Sequence, residues 1–558
     1  MTIKTTLRLS MVVTAWLATA PVIAQTVVIP PAGDAGALQQ RQIEEERRRR
    51  EQPQPLPQTA DPVTRPAVPT TPVQPAAVGP SFEVRQIEFT PSEILSAAEL
   101  EAVAALYRGK QLTLGDLQGL AGKVNELYKA RGMVTALAII APQDVSTGVV
   151  HVRLVEGRVG RISITGNNST RESYIASRIG LKPGELVNLN RLEHSLVWFN
   201  QTNDVRLEVE LKPGQQFGST DVAVTALEPT LHEVLLTLDN LGSPLTGDWR
   251  GGASYRNRSL LGYRDDLSLS VTKAQGQTSQ SVSYGIPLNI WGGRANLAYY
   301  DDKTAIKNGS LSSLNISGRS YATVLSMRQP VYVSNSTQTT LTGGSKRRES
   351  SNFSENVFLS GTLTSDANLG VDLQRSDATS LWGASFTRFW GQSSALGNST
   401  PFNLNRGSLR YNRDLNGGLS VHSNFSWQMS GDKNLVSGEQ FFLGGEGSVR
   451  GYAAGAYSGD QGYTLNLELH HPIGKTELAS RELLATGFVF VDHGQVEPFR
   501  PPNTLLNWRE NITGIGWGLN ATLAKRTTMR LTLGRGLDDV PLSPRGHYQL
   551  TLQLSSTF

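Results

Sequence analysis

The chain contains no cysteine, so disulfide frameworks, thiol catalysis and cysteine-ligated zinc are all closed to it. A charge surplus is missing too. Lys+Arg number 52 against 48 Asp+Glu, a net +4, and Lys4 and Arg8 fall in an expected leader, which leaves 4 − 2 = +2. That balance does not point to nucleic acid, even with a pI near 9.1. Long apolar runs are absent as well. With 38% hydrophobic residues, 18% charged residues and a mean hydropathy of −0.26, the chain cannot supply several apolar spans of about 20 residues, which excludes a helical-bundle membrane protein. A membrane β-barrel survives this test, because its lipid face occupies only every second residue of each strand. Gly 55 and Pro 27 suit a turn-rich β protein. At about 150 residues per unit, a chain of 558 has room for three or four.

Lys4 and Arg8 precede the apolar stretch Met11 to Ala20, and Val22-Ile23-Ala24 is a small-residue cleavage pattern before Gln25. Residues 1–24 are therefore expected to be a secretory signal peptide. The segment 32–52 holds Gln39-Gln40-Arg41-Gln42-Ile43-Glu44-Glu45-Glu46-Arg47-Arg48-Arg49-Arg50, strong helix formers with almost no apolar face. Such a helix either stays solvated or disordered, or sits in a polar, water-filled cavity. Nine prolines among residues 53–80 predict an extended spacer.

Two consecutive α+β modules follow, over 81–157 and 158–229. In the first, Phe82, Val84, Ile87 and Phe89 mark a strand, and Ser96-x-x-Glu99 is a capping box. Thr113 and Asp116 open a second helix, whose Leu117, Leu120, Val124, Leu127 and Tyr128 follow helical spacing up to Gly132. Strands over Thr135 to Ile140 and Val149 to Val155 complete a β-α-α-β-β order, which the second module repeats. Neither module gathers acids, bases or glycines as a catalytic cleft would, so both read as binding modules.

From 230 to 558 alternation replaces helical periodicity: Leu267, Leu269 and Val271; Phe425, Trp427 and Met429; Leu465, Leu467 and Leu469; Leu550, Leu552 and Leu554, with polar residues between them. The pattern, the length, the leader and a last strand closing on Phe558 predict a transmembrane barrel. Its 558 − 229 = 329 residues, at about 20 per strand and connection, give roughly 16 strands. Other short patterns read as chance or as ordinary surface. Gly474-Lys475-Thr476 lacks the earlier glycine of a phosphate loop. His470-His471 has no metal-binding neighbour, and Ser270-x-x-Lys273 has no acyl-enzyme partner motif. Lys346-Arg347-Arg348 could touch lipid A phosphates, but reads better as a solvated turn. No enzyme activity, cofactor or metal is expected.

The order of parts resembles outer-membrane transporters with polypeptide-transport-associated (POTRA) domains. Leu127-Tyr128-Lys129-Ala130-Arg131-Gly132, Ala141-Pro142-Gln143, Gly148 and Val155-Glu156-Gly157-Arg158 resemble the first POTRA domain of two-partner secretion transporters, the haemolysin-activator and filamentous-haemagglutinin-exporting family. Phe441-Phe442-Leu443-Gly444-Gly445 leading to Val449-Arg450-Gly451-Tyr452 is similar to that family's inward-folding loop motif. Phe490-Val491-Asp492-His493-Gly494 is similar to its Phe-x-Asp-x-Gly partner strand, while Met133 stands where an aromatic is usual.

The resemblance implies a mainly β fold, in which a 16-stranded barrel follows two periplasmic POTRA domains and the 32–52 helix plugs the pore. It also implies nucleotide-free export of one large β-helical exoprotein by an outer-membrane protein, taken here as a monomer touching outer-membrane lipid and lipopolysaccharide. A barrel-assembly factor is the alternative. Arg450 and Asp492 are expected to lock loop to wall, with Val449, Gly451, Tyr452, Phe490 and Gly494 as neighbours. Pro142, Gln143, Gly148, Glu156 and Gly157 are the candidate client-binding region. The residues themselves support the lock. If Val489 and Val491 face lipid, Asp492 points into the lumen, where a charge is tolerable, and a bidentate arginine could hold it.

Overall fold

The computed structural model describes residues 29–50, 63–64, 81–395, 398–478, 480–497, 509–540 and 545–558. The expected leader over 1–24 and nearly all of the proline-rich spacer lie outside these residues. Among them, no helix is long and apolar enough to cross a membrane.

Helix α1 (Ala35–Arg50) precedes the two modules. In the first module α2 (Ala97–Ala105) and α3 (Leu114–Ala130) start at the two predicted capping boxes. Ser96 N–H donates to the Glu99 carboxylate at 2.9 Å and Thr113 N–H to Asp116 at 2.8 Å, satisfying N–H groups left over at each helix start. Leu100, Val103, Leu117, Leu120, Val124 and Tyr128 pack under Val150, Val152 and Leu154. The sheet runs Gln86–Phe89, Val149–Val155, Leu137–Ile139. The β-α-α-β-β order holds, with two refinements. The first strand breaks at Arg85, whose N–H donates to Gly148 O at 2.8 Å. Its leading part, Phe82–Val84, pairs instead with Lys110–Leu112, a short strand between the helices. The second predicted strand is shorter than Thr135 to Ile140, since a turn closed by Ala136 N–H on Met133 O precedes Leu137.

The second module is Arg158–Thr165, α4 (Glu172–Ile179), α5 (Leu189–Thr202), Arg206–Pro213 and Ser219–Leu227. Its sheet has a fourth member that the spacer reading missed. Val63–Thr64 pairs in parallel with Val209 and Glu210, and Val63 is buried in the module's core. One β-branched residue with a free backbone edge is enough for this, and so short a strand leaves no periodicity to read.

The barrel is closed by sixteen strands, from His232–Asp239 to Tyr548–Thr557, with first and last paired from Leu235↔Thr557 to Asp239↔Gln553. The predicted alternation is its wall. Leu269, Val271, Leu467, Leu469, Leu550 and Leu554 all point outward, so the chain's apolar residues make one outer belt and its polar ones line the lumen. Between Ser420–Ser430 and Gln461–Leu478, which are wall neighbours, the chain leaves the wall. There Phe441–Leu443 and Tyr457–Gly459 form a hairpin whose tip packs on the inner wall.

Candidate functional site

Among the described residues the lumen holds two bodies, helix α1 and the 441–459 hairpin. Helix α1 has no apolar face, and polar groups of the wall receive it. Gln39 donates from Nε2 to Asp302 Oδ2 at 2.7 Å and to Ser320 O at 2.8 Å, and accepts from Ser320 Oγ at 2.7 Å. Asp34 caps the helix through Ala37 N–H at 2.9 Å, and also accepts from Asn352 and from Ser437 of the loop. Further along, Glu44 meets Arg406 at 3.3 Å, Glu45 meets Arg250 at 3.2 Å, and Glu46 accepts from Ser270 at 3.0 Å. Of the two readings of this segment, the polar cavity is the one observed. Ser270, once a chance motif match, is part of the cradle.

The charged run 346–348 is not a solvated turn. It lies within the wall strand Thr337–Ser354, with Lys346 and Arg348 buried toward the lumen and Arg347 turned outward. Both inward cations pair with Glu439, at 2.8 and 2.7 Å, and both also donate to Gln40 of α1, at 3.1 and 2.8 Å. Lys346 further meets Asp366 at 3.3 Å. Glu439 sits at the root of the hairpin. One buried cation cluster therefore holds helix and loop together. Sequence reasoning missed Glu439, Lys346, Arg348 and Arg406. The alternation of Lys346, Arg348, Ser350 and Asn352 in the lumenal phase was the signal that could have found the wall half of the cluster.

At the hairpin tip, the predicted lock is formed. Arg450 Nε donates to Asp492 Oδ2 at 2.6 Å, Nη2 to Oδ1 at 2.7 Å and the backbone N–H to Oδ2 at 3.1 Å. Phe490 lies under the guanidinium, 3.6 Å from its ring centroid. Asp492 and Arg450 are 0% and 3% exposed, whereas Val489 and Val491 face outward. The neighbours fall into place by packing. Val449 and Tyr452 are buried with Leu443, Val496 and Ile512, and Tyr452 Oη donates to Thr513 O at 2.9 Å. Gly451 has φ +90° and presses on the Arg535–Gly536 backbone, where a Cβ would stand 2.7 Å from Arg535 C. A Cβ at Gly494 would stand 2.7 Å from Leu443 Cδ2. The lock also extends beyond the predicted pair. Glu468 accepts from Arg450 Nη1 and from Arg530 at 2.8 Å, and Arg530 meets Glu446 of the loop at 3.0 Å. His470 belongs to this network through Glu468, and among the described residues no metal-binding cluster exists.

The five candidate client residues bracket the strand Val149–Val155. At its start Gln143 grips His151, accepting its N–H at 2.7 Å and donating to its carbonyl at 2.9 Å. Pro142 beside it is exposed. Gly148 has φ +76° and its carbonyl takes the N–H of Arg85 and Gln86. At the far end Glu156 is an internal brace, accepting from Ser92 Oγ, from Glu93 N–H at 2.9 Å and from Tyr128 Oη at 3.1 Å. Burial works against its charge, but these hydrogen bonds outweigh it and hold the carboxyl below its ordinary range. Burial, helped by the neighbouring Glu156 and opposed by the hydrogen bond with Ser92, pushes the Tyr128 hydroxyl up to about 12. The Gly157 carbonyl accepts from Val187 N–H at 3.0 Å, joining the two modules, and its Cα abuts Thr135.

This arrangement has known counterparts. A family model described as haemolysin secretion/activation protein ShlB/FhaC/HecB matches residues 218–521, more than half of the chain, and a POTRA domain model of ShlB type matches residues 82–157. The outer membrane transporter CdiB of Dickeya dadantii (strain 3937) is 27% identical over 420 residues, 71% of this chain and 73% of its own. The heme/hemopexin transporter protein HuxB of Haemophilus influenzae is 22% identical over 503 residues, covering 86% and 87%. Among solved structures, CdiB from Escherichia coli superposes with a TM-score of 0.62 at 21% identity, over 93% of this chain and 97% of that one. BamA from Haemophilus ducreyi, lacking POTRA domains 1-3, reaches a TM-score of 0.51 at 13% identity over 86% of this chain and 100% of that one. Such likenesses speak for the fold alone.

Proposed function

The chain belongs to the ShlB/FhaC/HecB family of haemolysin secretion/activation proteins, two-partner secretion transporters of the outer membrane, and on that premise we propose how it moves its exoprotein. The barrel lies in the outer membrane, its POTRA domains lie in the periplasm, and the transported partner is an exoprotein. In the proposal that partner is one large β-helical client, received unfolded. Its strands add to open sheet edges of the POTRA domains, such as Gln86–Phe89 or Arg158–Thr165, where backbone hydrogen bonds give affinity with little demand on sequence. Pro142 and Gln143 lie across Val149–Val155 from the first of these edges, on the side of Leu137–Ile139, whereas Glu156 and Gly157 brace the first module.

Export then requires α1 to leave the lumen and the Arg450 loop to shift. The observation that carries this is the shared cluster of Lys346 and Arg348, which binds helix and loop at once. Withdrawal of one body strips partners from the other. In this reading the protein works as a monomer. Membrane lipid and lipopolysaccharide cover the outer belt, and no catalytic step is involved. The test compares culture supernatants with and without this chain while outer-membrane proteins are followed in parallel. Selective loss of one large exoprotein supports the reading. A general fall in barrel proteins would make the chain an assembly factor instead.

A further inference from the structure

Helix α4 leans on the two periplasmic turns at 258–265 and 288–293, leaving a crevice of about 370 Å³ between the second POTRA domain and the barrel rim. The joint around it is firm. Arg171 N–H donates to Gly262 O at 2.8 Å and its Nε to Leu261 O at 2.9 Å, Arg178 Nη2 donates to Asn289 O at 2.9 Å, and Trp198 Nε1 donates to Trp291 O at 3.0 Å.

Two features of the crevice are out of keeping with a plain domain joint. Its barrel side presents Leu261, Leu288 and Ile290 at 58%, 51% and 45% exposure. Leu288 and Ile290 continue the outward face of the strand Gln277–Pro287, where Val282 and Ile286 are also exposed, so the crevice opens onto the lipid belt. The second feature is charge. Four other arginines of the joint, Arg256, Arg258, Arg264 and Arg294, each meet a carboxylate. Arg171, at the mouth of the crevice, meets only neutral carbonyls and the ring of Tyr263, while Arg178, which lines it, meets the carbonyls of Tyr174 and Asn289, the Ser177 hydroxyl at 3.5 Å and the ring of Tyr174; the Asp265 carboxylate on the barrel side is taken up by Tyr284 Oη at 2.7 Å. Among the described residues neither has an anionic partner.

We propose that this crevice binds one phospholipid of the periplasmic leaflet, its phosphodiester between Arg171 and Arg178 and one acyl chain along Leu288 and Ile290. An arginine that keeps N–H groups to spare offers a phosphate charge-assisted hydrogen bonds, and exposed aliphatic and aromatic residues at a membrane interface suit an acyl chain below a headgroup. The lipid would pin the second POTRA domain to the membrane surface. The inference rests on the membrane contact proposed above, but its test does not depend on secretion.

The experiment is native mass spectrometry of the delipidated full chain titrated with palmitoyl-oleoyl-phosphatidylethanolamine, with inorganic phosphate and palmitoyl-oleoyl-glycerol as separate probes. Wild type should retain one phosphatidylethanolamine, and Arg171→Gln/Arg178→Gln should need about tenfold more lipid for the same occupancy. Leu288→Ser/Ile290→Ser, which leaves every hydrogen bond of the joint in place, should weaken retention as well. Each variant is checked for an intact barrel by heat-modifiable gel migration. Equal retention by wild type and both variants overturns the proposal. So does binding of inorganic phosphate alone with the same arginine dependence, which would make this an ion site, or equal binding of the phosphate-free glyceride.

Discussion

Replacing Arg450 by Met keeps most of the side-chain volume and removes only the charge and its forked donors. Asp492, 0% exposed, then loses the bonds at 2.6 and 2.7 Å and keeps the single backbone donor at 3.1 Å. Breaking a buried ion pair from one side costs about 3–5 kcal/mol, because the abandoned charge has no water to turn to. At about 1.4 kcal/mol per factor of ten, the ratio of displaced to seated loops should rise by roughly two to three and a half orders of magnitude. The cysteine-free chain allows nitroxide labels at Ala454→Cys on the hairpin and Ser313→Cys on the rim, whose distance distribution reports the loop's position. Arg450→Met should move a large population away from the seated distance. Arg450→Met/Asp492→Asn should return part of it, because no naked charge remains. Unchanged distances in the single variant, or a double variant no better than the sum of the singles, would refute the lock as an energetic device.

Three further outcomes follow from the same geometry. Glu439→Gln leaves Lys346 and Arg348 short of a counter-charge and should unseat both helix and loop by about 3 kcal/mol, seen as more frequent open events in planar-bilayer recordings. Gly451→Ala places a side chain at φ +90° and 2.7 Å from Arg535 C, a strain of about 1–3 kcal/mol; secretion should fall while heat-modifiable migration stays normal. Glu156→Gln removes charge-assisted bonds and should loosen the first POTRA domain by roughly 1.5–3 kcal/mol, measured by hydrogen exchange in the full chain. The acid limb has a definite sign. The Glu156 carboxyl is depressed in the fold, so its contribution is complete above the unfolded value of about 4.3 and is lost as pH falls through the lower folded value. Wild type should therefore lose protection there on acidification, and the Gln variant should lose none from this source.

How much of this was legible before folding depended on how local the signal was. Capping boxes sit within four residues, so Ser96-Glu99 and Thr113-Asp116 read directly and both are formed. The barrel wall was legible because alternation repeats from strand to strand, and Asp492 took the lumenal phase that Val489 and Val491 implied. The pairing of Arg450 with Asp492 spans 42 residues, and spacing alone did not favour it; the family resemblance did. Glu439 was beyond reach, since its partners are 91 and 93 residues away and no motif marks it. The run 346–348 was misread because three adjacent charges look solvated, although in a strand the middle one alone faces out. Val63–Thr64 was invisible for want of length.

The claim that α1 and the loop must clear the lumen before anything passes is tested most directly by fixing the helix in place. A Cβ built on Gly36 stands 3.4 Å from Ser350 Cβ on the wall, close to the separation a disulfide needs, and no native cysteine competes. Gly36→Cys/Ser350→Cys should stop exoprotein release under oxidising conditions and restore it on reduction. Undiminished release from the cross-linked protein would contradict the account.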